Sequence, residues 1–272
     1  MKILLSAIAA VLLVTLATFG FRACAASAAG PDTAGKRAVL VELFTSEGCS
    51  DCPPADALLA RLEAQQPVPG AEIIALEEHV DYWDQQGWRD PYSSSAWTER
   101  QREYSGALRS DTIYTPEMVV DGAAGFIGSR EREGLQAIAH AVALPKTEIS
   151  VSPVRSENNK ETFSIRVAKL QGAKQGDPAE VWLAITETGL HMAVTAGENS
   201  GRELRHASVL RKLQKLGTAD ARSENSSFAA EPVISFDSHW DRANLRAVAF
   251  VQEKKSRRIL GAVVTTAGAL NQ

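Results

Sequence analysis

Val39-Leu40-Val41-Glu42-Leu43-Phe44-Thr45-Ser46-Glu47-Gly48-Cys49-Ser50-Asp51-Cys52-Pro53-Pro54 is the stretch on which the chain turns. Its apolar first half predicts a strand. Its prolines fit the first positions of a helix, where a missing N–H costs nothing and φ near −65° is already set. Two cysteines separated by two residues at such a strand-to-helix junction suit thiol–disulfide exchange. The helix N-terminus favours a thiolate on Cys49, and Cys52, one turn further, resolves the mixed disulfide.

Working outward, 272 residues can hold one large domain or two ordinary ones. Hydrophobic content of 44% and charged content of 23% are those of a globular protein. A formal charge of −4 without a basic cluster argues against a nucleic-acid partner. Lys2, the apolar run Ile3 to Phe21 and the small residues Ala23 to Ala29 predict a signal peptide over 1–28. The length of the run keeps an uncleaved N-terminal anchor as the alternative, the only membrane contact expected. Lipidation at Cys24 is disfavoured, since Phe21-Arg22-Ala23 lacks the small residues such a site wants. The expected location is periplasmic or secreted. Cys24 leaves with the signal, so Cys49 and Cys52 are the whole thiol complement of the mature chain. A loop that short staples little, which makes chemistry the better reading.

Residues 36–144 read as alternating strands and helices. Ala38–Phe44 and Ala71–Leu76 are apolar strands, and Ala55, Leu58, Leu59 and Leu62 recur at helical spacing between them. Ser94–Leu108 and Glu133–Val142 are helical, and Glu117–Gly122 with Ala124–Gly128 reads as a hairpin. From residue 145 the texture changes to short strands, many alternating apolar and polar, with Gly201–Leu216 open between helix and strand. Such a set suggests a small antiparallel sandwich.

The β-α-β … β-β-α order with Cys-x-x-Cys opening the first helix resembles the thioredoxin fold. The expected architecture is therefore an α/β thioredoxin-like domain over 36–144, with an aromatic-rich insertion at about 79–106, followed by an all-β sandwich-like domain over 146–272. The resemblance implies a cis-proline opposite the cysteines, and Thr115-Pro116 is the candidate. All four tyrosines and three of the five tryptophans fall between residues 82 and 114. Gly48-Cys49-Ser50-Asp51-Cys52-Pro53-Pro54-Ala55-Asp56, His79-Val80-Asp81-Tyr82-Trp83-Asp84, Gly87-Trp88-Arg89-Asp90-Pro91 and Tyr114-Thr115-Pro116 together resemble the secreted bacterial family known as domain of unknown function 1223. The resemblance implies a fold and a chemistry but no substrate.

Cys49 is the expected nucleophile, exposed at the helix N-terminus. Glu47 and Asp51 oppose a second negative charge and predict a reducing couple. Glu42, an acid within an apolar strand, is the candidate proton acceptor for Cys52, or else pairs with a lysine or arginine. Thr115 and Pro116 would offer a backbone edge to a substrate strand. Tyr82 and Trp83 either bind substrate beside the cysteines or form a small core for the insertion. The leading function is thiol–disulfide exchange on protein or small-molecule partners, without a cofactor. The alternatives are a copper or zinc carrier using Cys49, Cys52 and His79, and a non-catalytic binding module. His140, His191, His206 and His239 show no ligand spacing.

Overall fold

The computed structural model describes residues 35–267. The predicted signal lies outside the described residues, which form one compact unit. In chain order come β1 (Arg37–Thr45), α1 (Pro53–Gln65), β2 (Ala71–His79), α2 (Ser95–Leu108), β3 (Glu117–Val120), β4 (Ala124–Ile127) and α3 (Glu131–Ala143). The longer elements that follow are strands: β5 (Ile149–Glu157), β6 (Lys160–Ala168), β7 (Ala179–Thr188), β8 (His191–Ala193), β9 (Glu203–Arg205), β10 (Ser208–Thr218), β11 (Ser226–Ala230), β12 (Val233–Ser235), β13 (Leu245–Glu253) and β14 (Ile259–Thr266).

β1 is apolar almost throughout because it is paired on both edges, parallel to β2 and antiparallel to β3, and covered on both faces. α1 starts at the two prolines and stops at Gln66, whose φ of 49° is left-handed. The Gln66 side chain then ties the helix end to β2, accepting from the Ile73 N–H at 2.7 Å. α2 is capped by Ser94, whose hydroxyl accepts from the Ala96 N–H at 3.2 Å.

The later strands do not make a domain of their own. One eight-stranded mixed sheet runs β14-β13-β7-β10-β2-β1-β3-β4. It crosses from the later half of the chain to the earlier one where β10 meets β2 in parallel, Val209 opposite Glu77. This overturns the expectation of a thioredoxin-like α/β domain followed by a separate all-β domain. The physical reason lies in β7 and β13, which are apolar on both faces. Val181, Leu183, Ile185, Ala247, Ala249 and Val251 face one way, and Ala184, Val248 and Phe250 the other. A sandwich strand with one wet face would alternate, whereas these need cover on both sides. β5, β6, β11 and β12 form a second, four-stranded sheet that covers the first set through Phe163, Ile165 and Val167.

α1 and α3 cover Val39, Val41, Leu43, Ile73 and Ala75. Trp97 of α2 packs on the opposite face, with Leu40, Ile74 and Leu76. Strand alternation therefore sets Thr45 and Glu77 on the α1 face, and Glu42 and Glu78 on the α2 face. Among the described residues no helix is long and apolar enough to cross a membrane.

Candidate functional site

Cys49 and Cys52 are joined by a disulfide, with 5.4 Å between their Cα atoms. Cys52 is the N-cap of α1, and its carbonyl accepts from the N–H groups of Ala55 and Asp56 at 2.8 and 3.1 Å. Cys49 is 1% exposed and Cys52 0%, although Ser50 and Asp51 between them are exposed. The expectation of an open Cys49 is thereby corrected. Its cover comes from the far part of the chain, the tip of the β8–β9 hairpin. Asn199 there is fully buried and donates from Nδ2 to the carbonyls of Glu47 and Cys49, at 2.8 and 2.9 Å. The Ser50 N–H donates to Glu198 Oε2 at 3.0 Å. Gly197 has φ of +71°, and a Cβ added to it would stand 3.0 Å from Trp88 Cβ. A glycine is thus required where the tip lies against the aromatic segment.

Trp83 walls the other side. A Cβ on Gly48 would lie 3.2 Å from Trp83 Cβ, and the Trp83 indole donates to Thr115 Oγ1 at 2.8 Å. The Thr115–Pro116 peptide bond is cis, and the Pro116 carbonyl accepts from the Gly128 N–H at 2.9 Å. A Cβ on Gly128 would meet Ala55 of α1 at 3.1 Å and Pro116 at 3.2 Å. The cysteine loop, α1, Trp83, Thr115 and Pro116 are therefore neighbours. Tyr82 reaches this wall at Thr115, with which its hydroxyl hydrogen-bonds. It packs with Phe44, Val80, Tyr104 and Val119, and its hydroxyl reaches Gln101 Oε1 at 3.3 Å.

Glu42 lies on the α2 face, opposite the helix that carries Cys52. Arg100 of α2 pairs with it at 2.5 Å, and the Tyr104 hydroxyl bonds its other oxygen. Arg100 also stands 3.4 Å from Glu78, whose carboxyl is pushed well up by burial despite that cation. Glu42 is thus a partner of arginine rather than of a thiol. The buried acid on the cysteine side is Asp56, four residues after Cys52 and so on the same helix face. It accepts from the Thr45 hydroxyl at 2.6 Å. Burial first, then the Glu77 charge, push its carboxyl up to about 7, against the pull of His206 and Thr45.

Beside Asp56 runs a closed ring of buried charges. Asp90 Oδ2 lies 2.7 Å from His79 Nδ1, and His79 Nε2 3.2 Å from Glu77 Oε1. The same Glu77 oxygen is 2.7 Å from His206 Nδ1, and His206 Nε2 is 3.0 Å from Glu47 Oε1. The Glu47 N–H closes the ring by donating to Asp90 Oδ2 at 2.8 Å. Burial alone would lower His206, but Glu77 and Glu47 outweigh it and hold it up at about 9. Burial likewise opposes the charge on Glu77, yet the two histidines bring it down to about 2. His79, against the same burial penalty, is raised well above its ordinary value by Asp90 and Glu77. Both ring nitrogens of His79 are thus taken up by carboxylates and not turned to sulfur. The Trp88 indole donates to Glu47 Oε2 at 2.8 Å, and the Tyr92 ring packs on both histidines.

Sequence reasoning missed Asp56, Glu77, His206, Asn199 and Arg100. One signal was available: Glu77-Glu78-His79 prolongs an apolar strand with three ionisable residues, and such a terminus is buried only when each is partnered.

Fold and site together define a mixed-sheet protein with a Cys-x-x-Cys disulfide closed under a hairpin from the far half of the chain. The chain belongs to the family described as protein of unknown function (DUF1223), whose family model matches residues 40–252. A crystal structure from Agrobacterium tumefaciens is similar at 24% identity and a TM-score of 0.59, covering 86% of this chain and 96% of that one. HBP35 of Porphyromonas gingivalis is similar at 13% identity and a TM-score of 0.61, covering 86% and 76%. These likenesses are of fold. No curated protein matches the chain in sequence.

Proposed function

We propose that the protein is an extracytoplasmic thiol–disulfide oxidoreductase acting on protein or small-molecule disulfides. The observation that carries this reading is the Cys49–Cys52 disulfide at the N-terminus of α1, walled by Trp83, Thr115 and Pro116. In the reduced protein, Cys49 thiolate attacks one sulfur of a client disulfide and the other client sulfur leaves as a thiolate. Cys52 thiolate then displaces the client from Cys49 and closes the internal disulfide. Two electrons pass to the client, two protons follow them, and a dithiol partner restores the protein. Asp56, one turn beyond Cys52 with its carboxyl pushed up to about 7, is the group suited to take the Cys52 proton.

Access requires the hairpin tip to lift. The bonds holding it to the cysteine loop are two from Asn199 and one to Glu198, each worth about 0.5–1.5 kcal/mol net, so a client competes with a modest closure. Glu47, Asp51 and Asp56 flank the pair, and carboxylates oppose a thiolate, which supports a reducing couple. The signal-like segment before residue 29 and a disulfide in the folded chain support placement outside the cytoplasm.

Equilibration with a graded glutathione series tests the proposal. A reversible two-electron transition below about −200 mV is expected. A pair that resists reduction until the protein unfolds would make it a fixed brace, and a potential near −120 mV would make it an oxidant.

A further inference from the structure

The buried ring has a centre that the thiol chemistry does not use. Glu77 Oε1 lies 3.2 Å from His79 Nε2 and 2.7 Å from His206 Nδ1, and a ligand atom from each residue lies within 4.8 Å of the others. We propose that Glu77, His79 and His206 form a binding site for a zinc-like divalent cation, separate from the cysteines.

Three features carry it. Two imidazole nitrogens and one carboxylate oxygen are a donor set that zinc takes. Bonds of about 2.0–2.2 Å to a tetrahedral ion set neighbouring ligand atoms about 3.3–3.5 Å apart, so the two Glu77 separations need adjustments of under an ångström, and the two histidine nitrogens, within 4.8 Å of each other, close by at most about 1.5 Å. Each histidine, moreover, turns its other nitrogen to a buried carboxylate, His79 to Asp90 at 2.7 Å and His206 to Glu47 at 3.0 Å. Carboxylate–histidine–metal is the arrangement that fixes ring orientation and raises ligand basicity in metal sites. Those carboxylates are held in turn, Asp90 by the Glu47 and Tyr92 N–H groups and Glu47 by the Trp88 indole.

The charge balance points the same way. Glu47, Glu77 and Asp90 are three acids buried close together around two imidazoles. Buried carboxylates are tolerated when paired or bound to metal, and a divalent ion would add positive charge at the centre of this ring.

The ligands come from β2 and from the segment joining β9 to β10, while Asp90 and Glu47 belong to the aromatic segment and the cysteine loop. The ion would therefore bind together the parts that close over the disulfide. The site does not depend on thiol exchange, and either reading can fail alone.

The test uses the full chain expressed with added zinc, desalted with its disulfide intact and assayed for metal. About one zinc per chain is expected. The Cys49→Ser Cys52→Ser double variant should keep it, and Glu77→Gln and His206→Gln should fall below a tenth. Should those two variants misfold, cobalt in the wild-type chain decides. The visible band of low-coordinate Co2+ without a thiolate charge-transfer band supports the site. Folded wild type with no metal, or metal lost with the cysteines, overturns it.

Discussion

Asn199 reaches across from the β8–β9 hairpin and bonds the backbone carbonyl of Cys49 at 2.9 Å, so the later half of the chain closes over the cysteines of the earlier half. The same amide nitrogen holds Glu47 O at 2.8 Å. Replacing Asn199 by Ala removes both bonds and leaves two carbonyls unpaired. At about 0.5–1.5 kcal/mol per bond, the disulfide should be reduced by dithiothreitol roughly tenfold faster. Stopped-time thiol labelling reads this directly, and an unchanged rate would mean that the tip is not the gate.

Glu42, the acid the sequence offers to Cys52, and Asp56, which the structure sets one turn beyond it, separate by mutation. Glu42→Gln should leave the exchange rate within about twofold, because Glu42 sits on the α2 face with Arg100. Asp56→Asn should instead flatten the pH dependence of Cys52 resolution near pH 7, measured as release of a mixed disulfide. The reverse outcome would return the proton-acceptor role to Glu42.

Arg100 stands between Glu42 and Glu78, both buried. Arg100→Met leaves those carboxylates without their cation, and a loss of about 3–5 kcal/mol is expected in denaturant unfolding. A loss below about 1 kcal/mol would show that the two acids share a proton comfortably without arginine.

Stability of the metal-free chain should fall as the solution becomes alkaline. His206 is held up at about 9, so its contribution is whole below its unfolded value near 6.5 and is lost as pH rises through 9. Asp56, pushed up to about 7, prefers its neutral form in the fold, and its penalty develops between about pH 4 and 7. Urea midpoints should therefore drop from pH 5.5 to pH 9, less steeply in His206→Gln and Asp56→Asn. A midpoint that climbs over this range would contradict the assignment.

The extent to which the chain could be read from its residues follows from where the deciding contacts lie. The strand, turn and helix of Val39–Pro54 are local, set by apolar runs and by Pro53 and Pro54, and were legible. The partners of each strand were not. Val181, Leu183 and Ile185 declare a strand, but nothing local states that β10 lies beside β2, a pairing made across some 130 residues between Glu77 and Val209. The same distance hid the site. His206 and Asn199 look ordinary in sequence and gain meaning only when the hairpin folds onto Glu47 and Cys49. Glu42 was legible as a buried acid, yet which face it serves depends on Arg100, 58 residues on.

The most direct measurement is capture of clients in cells by Cys52→Ser protein expressed from the full sequence, followed by alkylation and identification of what is attached to Cys49. Thiol exchange predicts dithiothreitol-sensitive adducts on Cys49, more abundant in Asn199→Ala Cys52→Ser and absent from Cys49→Ser Cys52→Ser. Folded Cys52→Ser protein with Cys49 accessible and no adduct would contradict it.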